Sequence, residues 1–273
     1  ISGMHFGPRL RQFILYQHYH QRVTQPLLLN QLRELGISIS AGQLSNLLTK
    51  NHGQWHQEVA DILKRGLRNS HYIQVDDTGA KHLGQTHYCT QICNDAFSVF
   101  ATRPTKGRIN FLEILQGEDT GYALNYETTL QYLNKKEQFT FYNNYFFERA
   151  ADIDYYSNKD DWNNMLITSY VSPSNYQVFT EAAMLGYLDF KERLNPGIVV
   201  VSDNAGQFKI GRNAACWVHA ERILTTIIPR DEQLKSLKEN KLRQFWLLYR
   251  YIAAKRGKAS SYPHITTRAE LLF

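Results

Sequence analysis

The stretch Ile198-Val199-Val200-Val201-Ser202-Asp203 constrains the fold more than any other part of the chain. Branching at Cβ restricts these side chains in a helix and suits a pleated strand. A continuous apolar run, without alternation, is what a strand covered on both faces requires. Asn195-Pro196-Gly197 before it and Asn204 after it supply the breaks. A strand of that kind needs helices to cover it, so the chain belongs to the layered α/β class. Its 273 residues and 43% hydrophobic content are enough to build such a core.

The rest of the chain falls into place around this strand. Residues 1–70 read as a helical module. In "GPRLRQFILYQHYHQR", Leu10, Phe13, Ile14, Tyr16 and Tyr19 recur at close to a 3.6-residue period. "TQPLLLNQLRELG" opens on Thr24 as an N-cap with Pro26 in its first turn, and stops at Gly36. Ser40 caps a further helix, "AGQLSNLLTKNHGQWHQEVADILKRGL". Helix, break at Gly36 and helix resemble a helix-turn-helix, and the same pattern also suits an ordinary helical hairpin packed on its neighbour. From residue 72 the period changes. "HYIQVDD", "QTHYCTQICND" and "AFSVFAT" read as a three-stranded antiparallel meander, with "TGAKHLG" and Asn94-Asp95 as its turns. Residues 117–175 are irregular and rich in Asn, Tyr and Asp. "NYQVFTEAAMLGYLDFKERL" is a strong helix, "AACWVHA" is either strand or helix start, and "EQLKSLKENKLRQFWLLYRYIAAKRG" is a long basic helix.

The chemistry concentrates in acids at the ends of two of these runs, Asp76 after "YIQV" and Asp203 after "IVVVS". Rigid neighbouring strands can hold two carboxylates close together, where mutual repulsion favours a shared cation. Hard oxygen ligands with open positions select Mg²⁺ or Mn²⁺. Either residue could instead bond turn amides, as aspartate often does. Asp77-Thr78-Gly79-Ala80 also spells an aspartic-protease signature. A protease would need a second acid sharing a proton with Asp77. The chain has no second Asp-Thr-Gly or Asp-Ser-Gly, so this match is read as accidental.

Taken in order, "VDDTGAKHLGQTHYCTQICND", "VVVSDNAGQF" and "CWVHAERIL" resemble the DDE transposases of bacterial insertion sequences, particularly the sixty-six-type family. The upstream "FGPRLRQFILYQHYHQRVTQPLLLNQLRELGISISAGQLSNLL" resembles the region before that family's core. The resemblance implies an RNase H-like mixed sheet, a meander with added parallel strands, over residues 71–219. A helical module, a candidate for DNA binding, occupies 1–70, and the start of a basic helical insertion occupies 220–273. It implies Asp76 and Asp203 as catalytic and metal-binding acids, with two Mg²⁺ or Mn²⁺ ions in the intact enzyme. Asp77 and Thr78 take supporting places, as do Cys216, His219 and Arg222 in the Cys-x-x-His segment. The family's third acid, a Glu in an Asn-rich context, has no match: Glu232 and Glu239 lie on the basic helix, and Glu270 lacks the flanking pattern.

Charge distribution agrees with a polyanion partner. Net charge is +5 over residues 1–70, −7 over 71–203 and +8 over 204–273. An acidic centre between basic flanks suits a metal site with DNA-gripping arms, and solvated helix faces that happen to be basic give the same balance. Lys235, Lys238, Lys241, Arg243, Arg250, Lys255 and Arg256 are the candidate backbone contacts. The resemblance implies cleavage and strand transfer at transposon ends, on DNA, by a homo-oligomer. The rivals are an inactive DNA-binding remnant or regulator, another RNase H-like nuclease, and the protease. The chain opens without Met and stops within "TTRAELLF", which reads as a fragment ending before its third acid. Three scattered cysteines suit a reducing cytosol, and no apolar run is long enough to span a membrane. The resemblance adds association with the bacterial nucleoid.

Overall fold

The change of period at residue 72 marks the chain's first strand in the computed structural model, which describes residues 6–50, 52–124, 126–135 and 154–254. The chain divides into two compact units, Ile1–Asp61 and Ile62–Phe273.

The first unit is helical. It contains α1 (Pro8–Leu15), prolonged by a wider turn through His20, then α2 (Gln25–Glu34) and α3 (Ala41–Thr49). Helix α4 (Gly53–Asn69) has residues on both sides of the division. Ile14, Leu28, Leu32, Ile39, Leu44 and Leu48 form one buried cluster. Thr24 occupies the N-cap of α2 without a side-chain capping bond, so Pro26 and the burial of Leu28 and Leu32 account for that helix. Ser40, by contrast, caps α3 in full. Its hydroxyl accepts from the Gln43 amide at 3.1 Å, and its own N–H donates to Gln43 Oε1 at 3.0 Å.

The second unit is a mixed α/β layer. Strands β1 (Tyr72–His82), β2 (Gln85–Cys93) and β3 (Ser98–Arg103) form the expected antiparallel meander. After α5 (Arg108–Gln116) come β4 (Tyr122–Leu124), α6 (Tyr126–Asn134), β5 (Asp154–Tyr156), α7 (Lys159–Thr168) and α8 (Tyr176–Phe190). Strands β6 (Val199–Ser202) and β7 (Arg212–Ala215) then join the meander, giving the order β3-β2-β1-β6-β7 with β1, β6 and β7 parallel. β4 and β5 pair separately. Helices α9 (Trp217–Thr226) and α10 (Glu232–Ala253) close the described chain, and "AACWVHA" resolves into the end of β7 followed by a helix start. Among the described residues no helix is long and apolar enough to cross a membrane.

Three local readings need correction. The single helix expected after Ser40 is two, α3 and α4, with α3 ending at Thr49 and α4 starting at Gly53. "TGAKHLG" is not a long turn: β1 continues through His82, and the reversal needs only Leu83 and Gly84, with φ 49° and 77°. Positive φ at both central residues matches the right-handed twist of the flanking strands. The Ile198–Asp203 run is not covered on both faces either. Val200 is buried, while Val199 and Val201 on the alternate face are only half-buried. Ile73, Val75, Ile92, Val99 and Val200 share one core with Phe111, Leu112 and Leu115 of α5 and Phe179, Ala182 and Met184 of α8. The opposite face stays partly open, and the site lies there.

Close packing of α8 on β4 depends on Gly186, where an added Cβ would collide with the Ala123 carbonyl oxygen. Gly186→Ala is expected to destabilise the protein by about 1–3 kcal/mol. Urea unfolding checks this, since backbone cannot yield as a side chain would.

Candidate active site

Parallel pairing of β1 with β6 sets Tyr72 level with Val199, Ile73 with Val200 and Gln74 with Val201. Carried two residues further, past the last paired residues and the end of β6, the same register would set Asp76 level with Asp203. Residues level with each other on adjacent parallel strands point to the same side, with strands about 4.8 Å apart. Gln74 and Asp76 are exposed while Ile73 and Val75 are buried, so the shared side is the open one. The exposed Asp203 follows β6 in alternation with buried Ser202.

The turn after β6 presents Asp203. Its Oδ1 accepts from the Ala205 amide at 2.8 Å, the Ser202 hydroxyl accepts from the Asn204 amide at 3.1 Å, and Asn204 takes φ 72°. Asp76 Oδ1 accepts from the Asp77 amide at 2.9 Å. Each carboxylate keeps its second oxygen without a hydrogen-bond partner among the described residues. Two such oxygens on one open face form a hard donor set with free positions. No group of three or more His, Cys, Asp or Glu is arranged to hold a metal among the described residues. Carboxylate oxygens are the donor type that hard dications take, and here two residues rather than three or more would supply them.

Asp77 points the other way by strand alternation. It is half-buried, and its Oδ2 accepts from Gln207 Nε2 at 2.9 Å. It therefore ties β1 to the turn that carries Asp203. Thr78 is exposed and pairs across the hairpin with Cys89. Asp77-Thr78-Gly79-Ala80 thus runs through a fully paired strand.

The level row continues onto β7. Ser202 is level with Ala215, and the Cys216 amide donates to the Ser202 carbonyl at 2.7 Å. Cys216 is the N-cap residue of α9, and His219 lies in the first turn with Nδ1 buried and lacking a hydrogen-bond partner. Arg222, one turn on, is exposed. Trp217 has a structural role, packing on Phe245 and Tyr249 at ring-centroid distances of 4.7 and 5.5 Å and so joining α9 to α10.

The basic residues of α10 differ among themselves. Lys238 donates to the carbonyls of Thr225 and Ile227 at 2.7 and 2.8 Å, satisfying the C-terminal end of α9. Lys235 sits 3.4 Å from Glu232. Arg243 and Arg250 are exposed and Lys241 is half-buried, whereas Lys255 and Arg256, like Glu270, lie outside the described residues.

One part of the site was not found in the sequence. Arg108, at the start of α5, donates to Glu181 at 3.0 Å, to the Tyr132 hydroxyl at 2.5 Å and to the Gly206 carbonyl. The Tyr132 hydroxyl donates to Glu181 at 2.5 Å, and Gln177 Nε2 donates to it at 2.9 Å. Gly206 belongs to the turn Gly206–Phe208 that also carries Gln207, and Phe208 is buried edge-on to Phe111. A buried ion pair thereby pins the segment directly after Asp203. Burial alone would push the Glu181 carboxyl up. The bonds from Tyr132, Gln177 and Arg108 outweigh burial and hold it below the usual range. Glu181 was legible in principle, as a lone acid on the apolar side of α8 between Phe179 and Ala182. Arg108 carried no pattern.

Comparison with known proteins adds to this geometry. The family model described as Transposase IS66 family matches residues 3–146, a span that includes Asp76 and ends before Asp203. An uncharacterized protein of Sinorhizobium fredii, y4jO, is 30% identical over 205 residues, covering 72% of this chain. The chain spans only 61% of that relative's length. No solved structure matches the chain.

Proposed function

The chain belongs to the IS66 transposase family, and from that premise we propose that it serves metal-dependent DNA strand cleavage and 3′-hydroxyl strand transfer at insertion-sequence ends. The observation that carries the reading is the parallel register of β1 and β6, Gln74 beside Val201, which continued two residues further would bring Asp76 and Asp203 level on the open face. The strand order, an antiparallel meander extended by two parallel strands from β1, supports an RNase H-like core over residues 71–219, flanked by the module 1–70 and the insertion from 220.

Asp76 and Asp203 would hold Mg²⁺ or Mn²⁺, two ions in the intact enzyme. Bound there, the ions supply an acidified water and neutralise charge on the phosphodiester. The protein's own contribution is rigidity. β1 and β6 fix the two carboxylates, Asp77 and Gln207 fasten strand to turn, and Arg108 with Glu181 clamps that turn from inside. Arg243 and Arg250, with Lys235 and Lys241, would meet DNA phosphates, which position without specifying sequence. Lys238 serves α9 instead. Cys216, His219 and Arg222 border the site and support its edge. The protein would work as a homo-oligomer on transposon ends and target DNA, at the bacterial nucleoid.

A second reading, an inactive DNA-binding remnant, is favoured by one observation: no third carboxylate joins the pair among the described residues. An assay with Mg²⁺ and a supercoiled plasmid carrying the element's two ends separates the readings. The proposal expects nicking that disappears in Asp76→Ala and Asp203→Ala. Salt-sensitive binding without nicking in the unaltered chain supports the remnant.

A further inference from the structure

The far end of the β1–β2 hairpin carries a pair of histidines that neither the acids nor the core uses. The strands pair there with Ala80 level with His87 and His82 level with Gln85. By strand alternation His82 and His87 therefore share one face, as diagonal neighbours across the ladder. Their ring centroids are 5.5 Å apart, with the ring planes at 88°. Lys81 and Thr86 occupy the other face, where the ammonium donates to the Thr86 hydroxyl at 2.7 Å. The Lys81 charge is thereby held on the side away from the histidines.

Two observations ask for more than a ring contact. The first is a missing bond. His87 Nδ1 is buried and has no hydrogen-bond partner among the described residues. Buried polar atoms of that kind are rare in folded proteins, and a bound ion is one of their ordinary explanations. His52 also buries an unpartnered ring nitrogen, but the ring beside it is the indole of Trp55, at 4.7 Å, which offers no second ligand. The second observation is the spacing. Imidazole nitrogens bind zinc at about 2.0–2.1 Å, so two rings on one tetrahedral ion have centres about 5 Å apart. The histidine pair stands at that separation.

We propose that His82 and His87 hold a zinc ion at the hairpin end. No third His, Cys, Asp or Glu joins them among the described residues, so two positions of the tetrahedral shell are left to water. Neutral imidazole suits Zn²⁺, whereas the Mg²⁺ or Mn²⁺ proposed for Asp76 and Asp203 takes oxygen ligands. The two places are also separate in space. Along β1, Ala80 lies four residues beyond Asp76 and His82 six, about 14 and 20 Å on an extended strand. One ion cannot serve both. Zinc at the hairpin ties β2 to β1 beside the two-residue turn Leu83-Gly84, and so fixes the end of the strand that carries Asp76. Its binding requires nothing of the catalytic reading.

The test is calorimetric titration of Zn²⁺ into the full chain, in excess Mg²⁺ so that the acid pair is already served. His82→Gln and His87→Gln are each expected to weaken zinc binding by about 10-fold or more, since even outer-shell partners of metal sites are worth about 10- to 100-fold. Asp76→Asn is expected to leave the zinc affinity unchanged, as is His56→Gln, at an exposed position on α4. Cu²⁺ in place of Zn²⁺ gives a second readout on the unaltered chain. Its electron paramagnetic resonance spectrum is expected to show coupling to two imidazole nitrogens. No zinc binding, zinc binding that survives either substitution at the pair, or a copper spectrum without that coupling overturns the proposal. Zinc held through both histidines in a chain that nicks nothing keeps this site and removes the proposed catalysis. Asp76-dependent nicking without histidine-dependent zinc binding does the reverse.

Discussion

Replacing Asp76 or Asp203 by asparagine is expected to weaken Mn²⁺ binding by about 100-fold or more, a loss at least as large as that seen when outer-shell partners of a metal site are removed. The substitution preserves shape and removes the anionic charge that a hard dication requires. Both residues are exposed and neither is an ion-pair partner among the described residues, so stability is expected to change by no more than about 0.5 kcal/mol. Asp77→Asn is the informative contrast. Its carboxylate points to the other side of β1 and receives Gln207, so it is expected to spare most of the Mn²⁺ affinity. Calorimetric titration of Mn²⁺ into the three variants measures the difference. Equal losses in all three would mean that strand alternation does not separate the two adjacent acids, and the site would then have to be redrawn.

The second large effect is on stability. Arg108 and Glu181 are both buried, with side chains only 14% and 3% exposed. Removing one partner of such a pair leaves the other charge unpaired in the core. Arg108→Ala or Glu181→Ala is expected to cost about 3–5 kcal/mol. For a unit of this size that lowers the melting temperature by about 10 °C. pH adds a sign. Because the Glu181 carboxyl is held below its ordinary value in the folded state, its contribution is complete above the unfolded value near 4.3. It is lost as pH falls through the lower folded value. The gap in unfolding free energy between the unaltered protein and Glu181→Gln should therefore be widest near neutrality and close in acid. A gap that widens on acidification contradicts the assigned protonation state.

Sequence alone conveyed the layer architecture because the change from helical to strand period at residue 72 is abrupt and the later strand is unmistakably β-branched. It also singled out Asp76 and Asp203 as candidates, although Asp76 lies within β1 rather than at its end. Some features were hidden for physical reasons. The length of β1 was obscured because Thr78-Gly79-Ala80 has turn-like composition, yet cross-strand pairing with β2 keeps it extended. The half-open face of β6 could not be told from an apolar run, because burial depends on which helices cover the sheet. Asp76 and Asp77 were separable by strand alternation, though what holds Asp77 was not: Gln207 is 130 residues away. The clamp from Arg108 joins α5, α6, α8 and the turn after β6, and contacts so far apart in the chain leave no local pattern. Of the span 117–175, read as irregular, residues 125 and 136–153 lie outside the described residues, and in the rest β4 and β5 are three residues each, too short to show a period.

The central claim is that one cation can touch both the Asp76 and the Asp203 carboxylates. Crystals of the protein grown or soaked with Mn²⁺, with data collected at its absorption edge, test this directly. The account predicts an anomalous peak within coordination distance of both Asp76 and Asp203 on the open face of the sheet. Well-ordered carboxylates turned to opposite faces of β1 and β6, with no peak between them at saturating Mn²⁺, would contradict it.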